Sequence, residues 1–462
     1  MILNSRCLPT VAPLHQFRHR PGAISRQSGR LVRNAVIGVD LGTSVSAAGI
    51  IDKGEARVVE TADGTTTSSC VAFTKDRVLV GSEAERQLYK NTENTYSSVK
   101  RLIGTPFEAL SAELRYASYA AQPASDGSTL LWCPARQVCY TPQEVSSHIV
   151  RHLVSHAQAA AGETISAGVI TVPVHFYDEQ RAATAEAGAS AGLQSLRLLH
   201  EPVAAVMAYG LGKATEDSLV LVVDLGGGTY DVSLVECFEG CLEVIATAGD
   251  ARLGGDDWDR CFMDWALDQK ADRAARQASS GDMLRLLEAV RSAKQELSER
   301  DDTTMCVPAF QGKDLVMSFT RADFEQATAL LLRRLWPPLR ELGQQACVAW
   351  AASPDESAHQ KRAAKRSNAT SSSAAAAAER FLPQPRRVNR VVLVGGGTLM
   401  PSVQDFVSRL TGIPLEVTVD PALCVALGAT VYGGMLEGSI AGGVELADGA
   451  YMTALHNRHS GF

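Results

Sequence analysis

The sequence lacks several features that would assign it to a class at once. None of its apolar runs approaches the roughly 18 residues that a membrane-spanning helix needs. A net charge of −7 gives no basic footprint for nucleic acid. Its ten cysteines include no CxxC pair, so neither a zinc site nor a dense disulfide framework is indicated. We therefore expect reduced thiols in an intracellular compartment, and no membrane or nucleic-acid partner.

Two common nucleotide-binding motifs are missing as well. The chain contains neither GxxxxGKS/T nor GxGxxG, which excludes a P-loop and a dinucleotide fingerprint. It has instead a strand-like run from Leu219 that leads into Asp224, three glycines and Thr229. The three glycines are Gly226, Gly227 and Gly228. Because glycines have no Cβ, the amides of this turn could wrap a phosphate, whereas an ordinary hairpin would need only one glycine.

The amino terminus lacks acidic residues altogether. The first acid is Asp40, and six arginines precede it. At the overall frequency of Asp and Glu, an acid-free start of this length has a chance of roughly one per cent. This favours the interpretation that residues 1–34 form a transit peptide. We expect a plastid or a mitochondrion. A disordered leader or a wrong start codon, with the protein in the cytoplasm, is the alternative.

The order of strand, acid, glycine and threonine occurs a second time, earlier in the chain. The segment AVIGVDLGTSVS starts at Ala35 and has Asp40 where the later segment has Asp224. This self-similarity predicts two lobes of like topology, each with a phosphate loop toward a shared cleft. A third run, VVLVGGGTLMP, ends in glycines before Pro401, which can open a helix. The first loop contains Gly42, Thr43 and Ser44, and the third contains Gly395, Gly396 and Gly397.

Composition and patterning predict a mixed α/β protein with two lobes. We expect the lobes to cover residues 35–220 and 221–440, followed by a short tail over residues 441–462. Residues 351–387 break the composition with SSSAAAAA and the basic run KRAAKR. We expect a disordered surface insertion there, without a fold of its own.

The acids and hydroxyls of the loops fit the chemistry of a bound polyphosphate. Asp40 and Asp224, facing one cleft, could hold a hydrated Mg²⁺, which takes few protein oxygens and keeps its waters. Hydroxyls of Thr43, Ser44 and Thr229 could then bond phosphate oxygens. Phosphoryl transfer depends mainly on positioning and charge neutralisation, so a lysine directed at the γ-phosphate would complete the site. Composition alone does not select that lysine.

Seven segments together resemble a known family. They are IGVDLGTSVS, VKRLIG, VITVPVHFYDEQRAAT, HEPVAAVMAYGL, VVDLGGGTYDVS, TAGDARLGGDDWD and VVLVGGGTLMP. Their sequence and order are similar to the nucleotide-binding domain of the seventy-kilodalton heat-shock chaperones (heat shock protein 70), over roughly residues 36–440. The resemblance implies the actin-like ATPase fold, with two lobes that each have a ribonuclease-H-like core around a nucleotide cleft.

The resemblance also implies catalytic roles. It places Lys100, in VKRLIG, where the family has its catalytic lysine, which orients the attacking water. Glu201 and Pro173 match residues that link the catalytic site to movement of the lobes, and Arg181 belongs to the same relay. The implied reaction is a slow, chaperone-type hydrolysis of ATP.

Cofactor sites follow from the same resemblance. Asp40 and Asp224 match the acids around Mg²⁺, Thr229 matches the threonine beside the γ-phosphate, and Asp231 corresponds to a position near a bound K⁺. Lys294 and Ser298 fall on the adenosine-binding helix. The positions that would contact ATP or ADP are Gly42, Thr43, Ser44, Gly226, Gly227, Gly228, Thr229, Gly255, Lys294, Ser298, Gly395, Gly396 and Gly397.

The chain departs from the family pattern near the adenosine. Arg291 stands where the family usually has glutamate, Leu399 replaces an arginine that flanks adenine, and Ala422 replaces an aspartate. Losing a cation–π partner over adenine costs about 0.5–2 kcal/mol, so we expect weaker ATP binding with intact phosphate chemistry. The chain also stops at Phe462, where a full chaperone continues through an acidic-apolar linker into a peptide clamp and lid.

Three functions remain open on this reading. The leading hypothesis is an ATPase that acts as an accessory to the chaperone system, with a J-domain protein, an exchange factor or a full-length heat-shock chaperone as partner. The alternative is a nucleotide-sensing regulator that does not hydrolyse ATP and binds a full-length chaperone or a ribosome-bound complex. A sugar kinase of the same superfamily fits less well, because the matching segments follow the chaperone pattern throughout.

Overall fold

The computed structural model describes residues 35–88, 90–114, 117–211, 217–270, 276–352, 385–415, 417–440, 445–446 and 451–453. The predicted transit peptide and most of the predicted insertion therefore lie outside the described residues. Residues 351 and 352 are described, and their amides hydrogen-bond to the carbonyl of Leu410. At the other edge of the predicted insertion, Arg386 forms an ion pair with Glu236.

The described residues form twenty strands. In chain order, β1–β10 are Ala35–Asp40, Val45–Asp52, Glu55–Val58, Thr67–Ser68, Cys70–Phe73, Val78–Val80, Thr95–Ser97, Ala121–Pro123, Thr129–Cys133 and Val138–Tyr140. Strands β11–β20 are Ile165–Val172, Ser195–His200, Ser218–Leu225, Tyr230–Phe238, Cys241–Asp250, Asp302–Phe310, Lys313–Thr320, Arg390–Val394, Glu445–Leu446 and Tyr451–Thr453.

Eleven α-helices lie among the described residues. Helices α1–α6 are Ser82–Glu85, Ser111–Leu114, Pro142–Ala161, Asp178–Ser190, Glu201–Ala208 and Gly255–Lys270. Helices α7–α11 are Ser280–Glu299, Arg321–Arg333, Trp336–Gln345, Pro401–Thr411 and Cys424–Leu436. Short 3₁₀ turns cover Thr92–Asn94, Val99–Arg101, Phe107–Leu110 and Gly396–Leu399.

Local sequence signals set the start of several helices. The hydroxyl of Thr141 accepts from the amide of Glu144, whose carboxylate accepts from the amide of Thr141, so a reciprocal capping box opens α3. Pro142 follows in the first turn, where its missing N–H costs nothing. Pro401 opens α10 in the same way, as the sequence predicts.

The first sheet is built around β1, with strand order β20-β12-β11-β1-β2-β3 and β4 paired to β2. Strand β1 runs parallel to β11 and antiparallel to β2. The second sheet, β18-β13-β14-β15-β19, repeats this plan around β13, which is parallel to β18 and antiparallel to β14. The two acid-bearing strands therefore occupy equivalent places in two sheets of like connectivity, as the repeated motif predicts.

Helices α5 and α11 pack against each other between the two sheets. Their apolar residues form one cluster with buried residues of both sheets, such as Val169 and Val222. The helices approach closely, since a Cβ on Gly428 would lie 1.7 Å from the carbonyl oxygen of Ala204. Helix α11 also lies on β1 and β2, where Gly38 and Gly49 leave room for Thr430. Residues 424–436, predicted as part of the second lobe, thus pack on the first sheet.

The residues after α11 add a strand to each sheet. Strand β19 pairs in parallel with Cys241 and Leu242 of β15. Strand β20 pairs antiparallel with Arg197–Leu199 of β12. The segment predicted as a short tail therefore contributes an edge strand to both sheets.

Two further observations bear on the sequence-based expectations. Within the described part of the chain, no helix combines the length and the apolar character that crossing a bilayer requires. The nine described cysteines are all free thiols.

Candidate functional site

The glycine turn between β13 and β14 is anchored by the start of α6. Within the turn, the amide of Gly226 donates to the carbonyl of Thr229 over 3.0 Å. The amides of Gly255 and Asp256 donate to the carbonyls of Gly226 and Gly227 over 2.9 and 2.8 Å. These amides have no partner within their own helix, because the first turn of a helix leaves its N–H groups free. The turn is thereby held by its carbonyls at a helix amino terminus.

Two of the three glycines lie directly against side chains of the first half of the chain, residues 35–211. A Cβ on Gly227 would lie 2.5 Å from Oγ of Ser44, in the turn between β1 and β2. A Cβ on Gly228 would lie 2.3 Å from Nη2 of Arg101. By contrast, a Cβ on Gly226 would have no such neighbour closer than 3.8 Å. The glycines thus allow the first and second turns to meet, a reason that the sequence did not reveal.

The first turn lies between β1 and β2 and contains Gly42, Thr43 and Ser44. Its residues 42–44 are partly buried. A Cβ on Gly42 would lie 2.0 Å from the carbonyl oxygen of Val45, so the tight turn itself requires glycine there. The two turns that the sequence places in separate lobes therefore face each other through Ser44 and Gly227.

Lys100 lies in the 3₁₀ turn Val99–Arg101 and pairs with Glu201 at the start of α5. Its Nζ is 2.5 Å from Oε1 of Glu201, and the two side chains are only 11% and 14% exposed. Burial lowers the pKa of Lys100, but the carboxylates of Glu201 and Asp40 outweigh it, so the pKa is raised. Lys100 is therefore a fixed positive charge among acids.

Three aspartates surround this lysine. Asp224 and Asp231 are directly opposite each other in the antiparallel ladder of β13 and β14, and like charges in such a pair repel. Burial raises the pKa of Asp224 well above its usual value, and Glu201, Asp231 and Asp40 raise it further. In the first sheet, Asp40 is opposite Ala47 and accepts from the hydroxyl of Thr171 at 3.3 Å.

Asp40 and Asp231 share this acidic environment. Burial raises the pKa of Asp40 to about 6, and Glu201 adds to the rise while Lys100 opposes it. Burial likewise raises the pKa of Asp231 to about 6, although His175 opposes the rise. Nδ1 of His175, in the first half, is 3.8 Å from Oδ1 of Asp231, a contact that the sequence analysis did not predict.

A small pocket with a cavity volume of about 20 Å³ lies beside these groups. Pro173, His175, Glu201, Asp224 and Asp231 are among its lining residues. The structure thus brings Pro173 and Glu201, which the resemblance pairs in one relay, to one pocket. Arg181, the third member, is on α4 and donates to the carbonyl of Val174 at 3.2 Å.

The third glycine loop packs against the end of β13. Gly395 has φ +77°, and a Cβ there would lie 2.4 Å from the carbonyl oxygen of Leu225 and 3.0 Å from Oδ1 of Asp224. A Cβ on Gly397 would lie 2.6 Å from the side chain of Leu225, whereas one on Gly396 would meet nothing within 4 Å. Gly396 thus leaves open space on the side where its side chain would project.

The helix predicted to bind adenosine, α7, directs two cations at α6. Nζ of Lys294 is 2.6 Å from Oδ1 of the buried Asp259 and 3.0 Å from the carbonyl oxygen of Gly255. Arg291 also binds Asp259, at 3.2 Å, and Asp256, at 3.3 Å. Lys294 therefore lies beside Gly255 at the turn that anchors the glycine loop.

Ser298 of the predicted adenosine site, and the residues that depart from the family pattern, have different surroundings. The hydroxyl of Ser298 donates to the carbonyl of Lys294 in its own helix, over 3.1 Å. Arg291 reaches the first half as well, where its Nη1 is 3.6 Å from Oε1 of Glu85 on α1. Leu399 is 42% exposed. The amide of Ala422 donates to the carboxylate of Asp420 at 2.9 Å.

The donor set fits a hydrated divalent cation better than a directly ligated one. Burial raises the pKa values of both Asp40 and Asp224, and the carboxylate of Glu201 adds to each rise while Lys100 opposes it. Among the described residues, however, no three His, Cys, Asp or Glu side chains are close enough to hold one metal ion between them. Mg²⁺ keeps several waters and needs only one or two carboxylates, so these acids match its requirements.

A comparison with known families assigns the chain. The model of the Hsp70 protein family matches residues 36–352 and 371–453, which include both sheets and all three glycine loops. The chain belongs to the Hsp70 family. The resemblance found in the sequence is thereby confirmed, and so is the predicted fold, because Hsp70 membership implies the actin-like ATPase architecture of two similar α/β halves.

Individual Hsp70 relatives give the same picture. The chain is 37% identical over 414 residues to a chaperone protein dnaK of Cyanidioschyzon merolae, covering 88% of this chain and 62% of that protein. It is 37% identical over 445 residues to the chloroplastic heat shock 70 kDa protein 6 of Arabidopsis thaliana, covering 94% and 57%. The stromal 70 kDa heat shock-related protein of Pisum sativum is 37% identical over 421 residues, covering 89% and 54%. The chain thus spans about three fifths of these relatives.

Proposed function

We propose that this Hsp70-family chain binds ATP between its two halves and hydrolyses it slowly, as an accessory of the chaperone system. The observation that carries the proposal is the buried ion pair of Lys100 and Glu201, held beside Asp40 and Asp224 where two glycine turns meet. A fixed cation, paired acids and backbone turns are the parts that phosphoryl transfer needs, since its transition state is served mainly by positioning and charge.

Each group has a proposed task. Asp40 and Asp224 would hold Mg²⁺ through its waters, and Asp231 would lie near K⁺. The bound Mg²⁺ would neutralise charge on the phosphates. Lys100, kept charged by Glu201, orients the attacking water at the γ-phosphate, and Thr229 donates to a phosphate oxygen. Glu201 also passes changes at Lys100 to α5, between the two sheets.

Adenosine recognition is proposed for a second set of residues, beside the glycine turn. Gly255, Lys294 and Ser298 would contact the adenosine, together with Gly395, Gly396 and Gly397. The open space beside Gly396 supports this placement. Because Lys294 already forms an ion pair with Asp259 and Leu399 carries no charge, we expect adenosine to be bound less tightly than the phosphates.

A phosphate-release assay on the full chain tests the proposal. With ATP, Mg²⁺ and K⁺, the wild-type chain should release phosphate, and Lys100→Ala should lower the rate by about a hundredfold or more, as loss of a charge-stabilising group does. The matched control is Lys75→Ala, because Lys75 is exposed and lies outside the cleft. Equal rates for wild type and Lys100→Ala would refute the role of Lys100.

A second candidate function is a nucleotide-sensing regulator that does not hydrolyse ATP. The observation that favours it is Arg291, which binds Asp256 and Asp259 and also contacts Glu85 of the first half. Nucleotide binding near Arg291 could therefore change the contact between the two halves without any hydrolysis of ATP. Titration calorimetry that finds tight ATP binding, with no phosphate released in a single-turnover assay, would favour this candidate. Stable capture of a full-length chaperone would support it further.

Location and partners are proposed from the sequence and the relatives. The acid-free, arginine-rich start and the chloroplastic names of two of the relatives support a plastid location. A J-domain protein, an exchange factor or a full-length heat-shock chaperone is the proposed partner class. Imaging of the full chain with a carboxyl-terminal fluorescent tag tests the location, and a cytoplasmic signal would contradict it.

A further inference from the structure

Arg101 contacts the glycine turn from the opposite half of the chain. Its Nη2 donates to the carbonyl of Gly228 over 2.6 Å. Arg101 directly follows Lys100 in one 3₁₀ turn, so adjacent residues bind Glu201 in the first half and Gly228 in the second. Neither the loop motifs nor the family resemblance assigned Arg101 a role.

The guanidinium of Arg101 has more hydrogen-bond donors than its bond to Gly228 uses. Within the described part of the chain, no carboxylate lies within ion-pair distance of Arg101. Arginine carries five N–H donors, and a donor with full charge makes a stronger hydrogen bond than a neutral one. The bond to Gly228 is therefore a charge-assisted contact between the halves rather than a by-product of a salt bridge.

The bond also fixes the direction of a neighbouring amide. In a planar trans peptide, the C=O of Gly228 and the N–H of Thr229 point in opposite directions. Holding the carbonyl toward Arg101 therefore holds the Thr229 amide away from it. The turn cannot rotate this peptide unit without breaking the contact.

We propose that Arg101 is a positioning residue that clasps the glycine turn of the second half against the first half and so fixes the Thr229 amide. The clasp rests on the proposed function in one respect, that the fixed amide serves bound ATP. The clasp itself is a property of the protein without nucleotide. Its existence and its use in hydrolysis can therefore be measured separately.

A double-mutant cycle tests the clasp, because the geometry offers two independent ways to break it. Arg101→Ala removes the donor, and Gly228→Ala places a Cβ where Nη2 of Arg101 lies. Gly228 does not have a positive φ, so alanine is tolerated by the backbone. In the nucleotide-free full chain, each single variant should speed amide hydrogen exchange over residues 225–230 by about tenfold or more.

The decisive comparison is Gly228→Ala in the Arg101→Ala background. If Gly228→Ala acts only by displacing Arg101, the second substitution should raise the exchange rate by less than about twofold, because both substitutions break the same contact. Arg101→Lys, which keeps one donor, should recover part of the protection. Multiplicative effects of the two substitutions, or unchanged exchange in both single variants, would overturn the clasp.

Phosphate release then separates the clasp from the proposed function. If the wild type hydrolyses ATP, Arg101→Ala should lower kcat more than it raises KM, because orientation of the turn matters most in the transition state. If the wild type releases no phosphate, the proposed hydrolysis fails while the exchange data still decide the clasp. The control is Arg57→Ala, since Arg57 pairs with Asp52 on the surface and should leave both readouts unchanged.

Discussion

Replacement of Lys100 by methionine should destabilise the folded chain, because it leaves the Glu201 carboxylate buried among Asp40 and Asp224 without its partner. Breaking a buried ion pair by removing one member costs about 3–5 kcal/mol. Since the two side chains keep exposures of 11% and 14%, we take the lower end, about 3 kcal/mol. For a chain of this length the entropy of unfolding is roughly 1 kcal/mol/K, so Tm should fall by about 3 °C.

Differential scanning calorimetry without nucleotide or Mg²⁺ measures this shift. The companion variant is Lys100→Met with Glu201→Gln, which removes both charges and leaves no carboxylate behind at position 201. Its Tm should return toward that of the wild type, because one repelling acid next to Asp224 is gone. Arg57→Met serves as the control, since its exposed pair with Asp52 should contribute at most about 1 kcal/mol.

Two results would refute the reasoning. A Tm for Lys100→Met within the error of the wild type would mean that water or rearrangement compensates Glu201 fully. A double variant less stable than Lys100→Met would mean that Glu201 stabilises the fold through contacts other than its ion pair.

Three further predictions concern other parts of the structure. Because the pKa of Asp40 is about 6, lowering the pH from about 7.5 to about 5.5 should weaken Mg²⁺ binding by about fourfold through this group alone, as measured by calorimetry. The metal-free chain should lose stability as the pH rises from about 4 to about 6, because the folded carboxyl still holds the proton that the unfolded one has lost. A flat pH profile of binding and of stability would contradict both expectations. Gly428→Ala should unfold or severely destabilise the chain, because its Cβ would lie 1.7 Å from the carbonyl of Ala204, and circular dichroism melting would show it. Glu85→Gln should speed nucleotide release by about two- to fivefold, since its exposed contact with Arg291 joins the halves weakly; stopped flow with a fluorescent nucleotide measures the rate, and slower release would count against it.

Much of the fold could be predicted because the repeated motif is local. A strand that ends in an acid followed by glycine can be recognised from a few adjacent residues, and the structure has β1 and β13 in equivalent places with Asp40 and Asp224 at their ends. Helix starts at Pro142 and Pro401 also depend on neighbouring residues alone. These signals need no knowledge of the tertiary structure.

Contacts between distant segments could not be predicted in this way. The position of α11 on the first sheet depends on Gly38 and Gly49 matching Thr430, nearly 400 residues along the chain. The bond from Arg101 to Gly228 is likewise 127 residues apart and has no sequence pattern of its own. Only its adjacency to Lys100 in VKRLIG could have drawn attention to Arg101.

The glycine turn shows that one motif can have more than one structural reason. Three glycines beside an acid suggest close approach of a ligand, and nothing in the sequence suggests a protein contact as well. In the structure, Gly227 and Gly228 also make room for Ser44 and Arg101. The same absence of a side chain therefore serves contact between the halves, which only the tertiary structure reveals.

The register of the two sheets makes the cleft electrically asymmetric. On the second wall, Asp224 is opposite Asp231, whereas on the first wall Asp40 is opposite Ala47. Two walls with the same strand plan thus carry unequal charge at matching positions. Small cations should collect at the second wall, and an elongated anion that enters should be oriented by this gradient before any side chain closes on it.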